Sequence, residues 1–195
     1  MNLVKIFPTC VGVEQNNVMS DRLYPYARKY LDNLNKSEYK EWGYKTTYGE
    51  INADYIPNEL QFFSDYICDA GQRFMIANGF VPKALKPSIF FSEMVDGDLH
   101  GKHCHTDSFL SGVFYLKVPV GSADIKLFTP DPYKKLSRLD IQDFTNECSW
   151  ETCNFTPAEG ALLIWRSYID HEVLLNKSKD GRITAVFNLS WKHDD

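Results

Sequence analysis

The alternation of apolar and polar positions divides the chain into two halves of different character. In the first half, Leu60, Phe63, Ile67, Ala70 and Phe74 recur at helical spacing, which predicts a helix over Asn58–Asn78 ended by Gly79. A shorter helix is expected over Ser20–Leu34, with Ser20 or Asp21 as its cap and Pro25 as an early-turn residue or a break. Residues 1–12 read as a short strand, and residues 35–57 as a long polar and aromatic connection. After Pro87 the period changes. Ser88–Val95, Phe109–Val118, Asp124–Phe128, Gly160–Trp165 and Ile183–Trp191 are short runs rich in β-branched and aromatic residues. Asp96-Gly97-Asp98 marks a turn, and residues 130–157 read as an insertion with a short helix near Arg138–Phe144.

Helices first and strands afterwards predict an α+β chain. Short strands joined by turns suit a double-sheet barrel or jelly roll, with the N-terminal helices packed on one sheet. We expect one domain over 1–195, in which 1–87 supports a β core over 88–195 that carries the 130–157 insertion.

Composition narrows the functional classes. The chain is 44% hydrophobic and 24% charged, as ordinary globular proteins are. Its net charge of −5 and lack of a basic block argue against a nucleic-acid partner. The longest apolar run, around Gly160–Trp165, is too short to span a bilayer, and the first residues lack a signal-peptide core. A cytoplasmic location is expected. The five cysteines are scattered without a CxxC pair and are expected to be reduced, Cys148 and Cys153 included. The helices offer a surface for an oligomer.

The candidate chemistry lies in LHGKHCHTD, which holds three of the five histidines. In a strand, residues two apart point to one face, so His105 and Asp107 can present a nitrogen and an oxygen to one metal ion. His171 follows the apolar run GALLIWRSYID and is the candidate third ligand. Two histidines and a carboxylate form the facial triad of non-haem Fe(II) oxygenases, which leaves positions open for O2 and a bidentate 2-oxo acid. Arg182 opens the final strand, and its planar fork suits the distal carboxylate of such an acid. Thr184 shares that strand face and offers a hydroxyl. Tyr115 is a further donor on the strand after the metal pair, where a barrel-wall role is an equal reading. Ser92 and Asn188 are weaker candidates, Trp165 and Trp191 read as core, and His100 as a loop residue.

The runs HCHTDSFLSGVFYL, GALLIWRSYIDHEV and GRITAVFNLSW resemble the 2-oxoglutarate/Fe(II)-dependent dioxygenase superfamily, and within it a group of oxygenases common in phages and marine bacteria. The likeness covers 88–191 well and the helical part in outline. It implies a double-stranded β-helix, cupin-like, with the metal at one open end. It also implies a hydroxylase that uses Fe(II), 2-oxoglutarate and O2, coupling oxidative decarboxylation of 2-oxoglutarate to C–H oxidation of a small molecule or an amino-acid side chain. The phage-type group carries His-x-His at this point, which makes His103/His105 the alternative pair. A carboxylate lowers the charge of the site, and on that ground His105/Asp107 is the expected pair. Two other readings compete: a three-His cupin-type dioxygenase that uses no 2-oxoglutarate, and a non-catalytic jelly-roll binding module. Specificity is expected from residues 35–57, the Asp96–Lys102 loop and the 130–157 insertion.

Overall fold

The computed structural model describes residues 8–34, 43–49, 51, 55–131 and 149–192. The chain opens with strand β1 (Val11–Gln15) and helix α1 (Asn17–Asp32). The helix starts before the expected Ser20, because the side chain of Asn16 accepts from the backbone N–H of Met19 and caps it. Pro25 lies within the helix and does not stop it. Leu23, Ala27 and Leu31 recur every four residues and are fully buried, so packing of that stripe outweighs the hydrogen bond proline cannot make. Strand β2 (Lys45–Thr46) lies within the expected connection. A 3-10 turn over Asn58–Leu60 leads into α2 (Gln61–Ala77), inside the expected bounds.

The β-rich half contains β3 (Leu85–Met94), β4 (His100–His103), β5 (Leu110–Lys117), β6 (Ile125–Phe128), β7 (Thr152–Phe155), β8 (Ala161–Arg166), β9 (His171–Val173) and β10 (Arg182–Trp191). They form two antiparallel sheets, one in the order β1-β8-β5-β10-β3-β2 and one in the order β4-β9-β6-β7. The strands β4, β7 and β9 were not foreseen: β4 and β9 are short and carry histidine in place of an apolar run, and β7, which pairs with β6, falls at the end of the stretch expected as an insertion. The expected Arg138–Phe144 helix and Cys148 lie outside the described residues. No disulfide joins the described cysteines. No helix among the described residues is long and apolar enough to cross a membrane.

Strand alternation divides the core into two layers. On β5, Phe114 and Leu116 belong to the layer under the helices, with Phe63, Ile67 and Met75 of α2. Their neighbours Val113 and Tyr115 face the other way, into the layer between the sheets, with Ile125 and Leu127 of β6. The larger sheet is therefore buried on both faces at its centre, which explains why β5 and β8 read as continuous apolar runs. On β10, Ile183, Ala185, Phe187 and Leu189 point to the helices. Arg182, Thr184 and Val186 line a cavity between the sheets.

Candidate metal and co-substrate site

The cavity has a volume of about 300 Å³ and opens between the two sheets. Its floor is the inner face of the larger sheet, and the pairing register arranges that floor in rows. Arg182 pairs with Met94; Thr184 pairs with Ser92 on one side and Tyr115 on the other; Val186 pairs with Phe90 and Val113. Thr46 of β2 extends the middle row, its hydroxyl 3.3 Å from that of Ser92. One end of the floor is thus cationic, the middle carries hydroxyls, and the other end is apolar. Successive rows lie about 7 Å apart, two residues along a strand.

The histidines come from the opposite sheet. His103 ends β4 and pairs with His171, which begins β9. His105 follows on an irregular segment whose backbone N–H donates to the Ser167 carbonyl at 3.0 Å. Ring nitrogens of His103, His105 and His171 all lie within 4.8 Å of one another. His103 Nδ1 lies 2.8 Å from the Gly101 carbonyl, and His171 Nδ1 lies 3.0 Å from the Ile169 carbonyl. A carbonyl can only accept, so both Nδ1 atoms carry the proton and both Nε2 lone pairs stay available to a metal. Burial holds His171 down at about 3 and His105 at about 4, with neighbouring imidazoles adding to the effect. At neutral pH these rings are in the uncharged form that binds metals. The donor set fits a borderline divalent ion such as Fe(II).

Asp107 is not brought to this cluster. The chain leaves strand geometry after His103, and residues 104–109 form a bend, so the alternation rule that would pair His105 with Asp107 does not apply there. Asp107 is exposed, its carboxylate is 3.4 Å from the Thr106 hydroxyl, and its carbonyl accepts from Ser190 Oγ at 3.0 Å. His100 stands on β4, not on a loop. Its ring stacks on His103 at 4.1 Å, and its Nδ1 is hydrogen-bonded to the Tyr44 hydroxyl.

Arg182 is 2% exposed. No carboxylate among the described residues pairs with it; Nη1 contacts Met94 Sδ at 3.5 Å, and Nε has no hydrogen-bond partner. Its guanidinium lies 5.1 Å from the centre of the Tyr115 ring. The Tyr115 hydroxyl is also buried without a partner in hydrogen-bonding geometry. Burial pushes that phenol up, against the pull of the nearby Arg182 cation. A buried cation without an anion is costly, and so is a buried unpaired hydroxyl. Both costs fall away when a carboxylate enters the cavity, so the residues present fit the distal carboxylate of 2-oxoglutarate. Thr184 is buried in the adjoining row. Trp165 stands edge-on to His171 at 5.0 Å and closes the cavity with Val113 and Ile125. It is core, as expected, and cavity wall as well.

The sequence reading did not single out Tyr44, Tyr48 or Phe90, all of which line the cavity. A signal was present: Tyr44, Thr46 and Tyr48 alternate at strand spacing within a stretch read as connection.

A family described as "Putative 2OG-Fe(II) oxygenase" matches residues 89–188. No curated protein gives a significant match. Among solved structures, the chain is similar to a Pseudomonas putida prolyl-4-hydroxylase, with a TM-score of 0.63, 16% identity and coverage of 95% of this chain and 94% of that one. It is also similar to a prolyl hydroxylase from Trichoplax adhaerens, solved in complex with a hypoxia inducible factor peptide fragment (TM-score 0.62, 12% identity, 92% and 83% covered). With a Burkholderia pseudomallei 2OG-Fe(II) oxygenase the overlap takes in 61% of this chain and half of that one, at 15% identity and a TM-score of 0.46. At such identities the first two likenesses show the fold, an α+β double-stranded β-helix.

Proposed function

Because this chain belongs to the 2OG-Fe(II) oxygenase family, we propose that it is a hydroxylase whose iron is held by His103, His105 and His171 and whose 2-oxoglutarate is anchored by Arg182. The observation that carries the reading is one cavity with three converging imidazoles on one side and, on the other, a buried arginine that no carboxylate among the described residues pairs with. Bound Fe(II) with 2-oxoglutarate and O2 supplies the oxidation: 2-oxoglutarate, O2 and R–H become succinate, CO2 and R–OH.

The protein's own contribution is positional. The carbonyls of Gly101 and Ile169 fix the tautomers of His103 and His171 and aim their Nε2 atoms. Three neutral imidazoles leave the full charge of a divalent ion, which the 2-oxoglutarate dianion offsets. Arg182 takes the distal carboxylate, and Tyr115 and Thr184 are positioned to donate hydroxyl hydrogens beside it. Trp165, Val113 and Ile125 keep water from the buried end, which strengthens each of these interactions. The substrate is proposed to be a small molecule or an amino-acid side chain that enters past the exposed Tyr48.

The test is to load the protein with Fe(II) without air, add 2-oxoglutarate, and record the weak visible charge-transfer band of the chelate. Wild type and Asp107→Ala should both show it. Arg182→Ala should need much more 2-oxoglutarate, and His103→Ala should lose the band. A band that survives His103→Ala and vanishes in Asp107→Ala would restore the carboxylate as ligand. Iron binding without the band, indifferent to Arg182, would point to a three-His dioxygenase that uses no 2-oxoglutarate.

A further inference from the structure

We propose that Ser167, Ser111 and Asn188 are positioning residues for His105, joined in a hydrogen-bonded chain that fixes this residue from the larger sheet. That His105 holds iron rests on the oxygenase reading; that the chain sets its place stands on geometry. His103 and His171 face each other across the β4–β9 pairing, so the ladder of the smaller sheet sets their separation. His105 lies beyond the end of β4. Its backbone is held from the other sheet instead, by the Ser167 carbonyl just past the end of β8.

Ser167 clamps the bend at both ends. Its carbonyl accepts from the His105 N–H at 3.0 Å, and its own N–H donates to the Phe109 carbonyl at 3.1 Å. Its hydroxyl lies 2.9 Å from that of Ser108 within the bend and 2.8 Å from that of Ser111 on β5. Ser111 Oγ in turn lies 2.8 Å from Oδ1 of Asn188, its partner on β10 in the pairing register. Ser111 and Ser167 are each 1% exposed, and Ser111 also lines the cavity.

Proton counting gives the chain one direction. Asn188 Oδ1 can only accept, so Ser111 donates to it. A hydroxyl carries one hydrogen, so Ser111 accepts from Ser167, and Ser167 accepts from Ser108. Every hydroxyl is thereby fixed, and each bond polarises the next. Removing the Ser111 hydroxyl leaves a buried donor on Ser167 without its acceptor. Ser167 then shifts to find another, and the His105 backbone bound to it shifts too. A metal site tolerates little of this, because its ligands must be held within about 0.5 Å of their productive positions.

The experiment is Co(II) titration of the metal-free protein, read by the visible d–d bands, whose energy and intensity report coordination geometry. Ser111→Ala and Asn188→Leu should each weaken Co(II) binding about tenfold and change the bands. Asn188→Asp keeps an acceptor oxygen for Ser111 and should hold the wild-type bands. Ile67→Val, a loss of core volume under the helices, should lower Tm and leave bands and affinity unchanged, which separates positioning from stability. Three results would each overturn the proposal: wild-type bands and affinity in both Ser111→Ala and Asn188→Leu, bands changed as much by Asn188→Asp as by Asn188→Leu, or bands moved equally by Ile67→Val. If 2-oxoglutarate leaves the wild-type bands untouched, the co-substrate reading falls and the positioning stays in place. A wild type that takes no Co(II) would sink the metal site and this proposal with it.

Discussion

At the scale of single residues, which side chains converge on the proposed metal site depends on where one strand stops. HCHTD offers two His-x-acceptor pairs, and spacing alone treats them alike. β4 ends at His103, and the bend after it turns Asp107 to solvent. Alanine at His103, His105 or His171 should therefore lower iron affinity at least about 100-fold, beyond what loss of an outer hydrogen bond costs, whereas Asp107→Asn should change it less than about threefold. Metal content after dialysis against a competing chelator measures both. His100, His105 and His171 give the metal-free protein a pH dependence. In the unfolded chain they take up protons as pH falls through about 6.5, whereas His100 and His105 hold out to about 4 and His171 to about 3. The unfolded state binds more protons across that window, so stability falls as pH drops from about 6.5 toward 4. Thermal melts of metal-free protein should show the decline, and His171→Gln should make it shallower.

At the scale of elements, the site depends on loops at the Arg182 end being tied together. Asn176 is fully buried; its amide donates to the Met94 carbonyl at 3.1 Å, and its Oδ1 accepts from the Ala123 N–H at 3.0 Å. Its backbone carbonyl accepts from Gly97 and its N–H donates to Asp98. One side chain thus joins the end of β3, the approach to β6 and the loop before β10. Asn176→Ala would leave a buried donor and a buried acceptor unpaired, and should cost about 3 kcal/mol in denaturant melts. Because Met94 contacts Arg182, 2-oxoglutarate affinity should fall as well. The unexpected β2 follows the same logic: two residues suffice for a strand when Thr46 and Thr47 find partners on β3.

At the scale of the whole molecule, the helices support one face of the larger sheet and the cavity occupies the other. Ligands that fill the cavity bridge the two sheets, and they bind only the folded state. Mn(II) as a redox-inactive substitute, together with 2-oxoglutarate at about 100 times its dissociation constant, should stabilise by about 3 kcal/mol, or some 5–10 °C in Tm. Each alone should give less than half the joint shift, since the dianion and the cation favour one another. Differential scanning fluorimetry measures this, and Arg182→Ala should abolish the gain from 2-oxoglutarate while keeping that from Mn(II).

The sequence by itself determined that helices precede the main strands, the double-sheet class, and the family of oxygenases to which the chain belongs. Period and turn residues are local properties, and His171 and Arg182 are marked by residue type beside apolar strands. It also placed Arg182 and Thr184 on one face, because β10 pairs with β3 in unbroken register from Arg182 to Trp191. Only the tertiary structure brought His103 beside His105 and His171 and left Asp107 exposed, since that depends on where pairing between β4 and β9 ends. It alone showed that Arg182 is buried without a carboxylate partner among the described residues, because pairing is settled by which distant strands close around it. The aromatic wall from residues 44–48 was hidden for the same reason: Tyr44 and Tyr48 acquire a direction only once Thr46 and Thr47 are bound to β3.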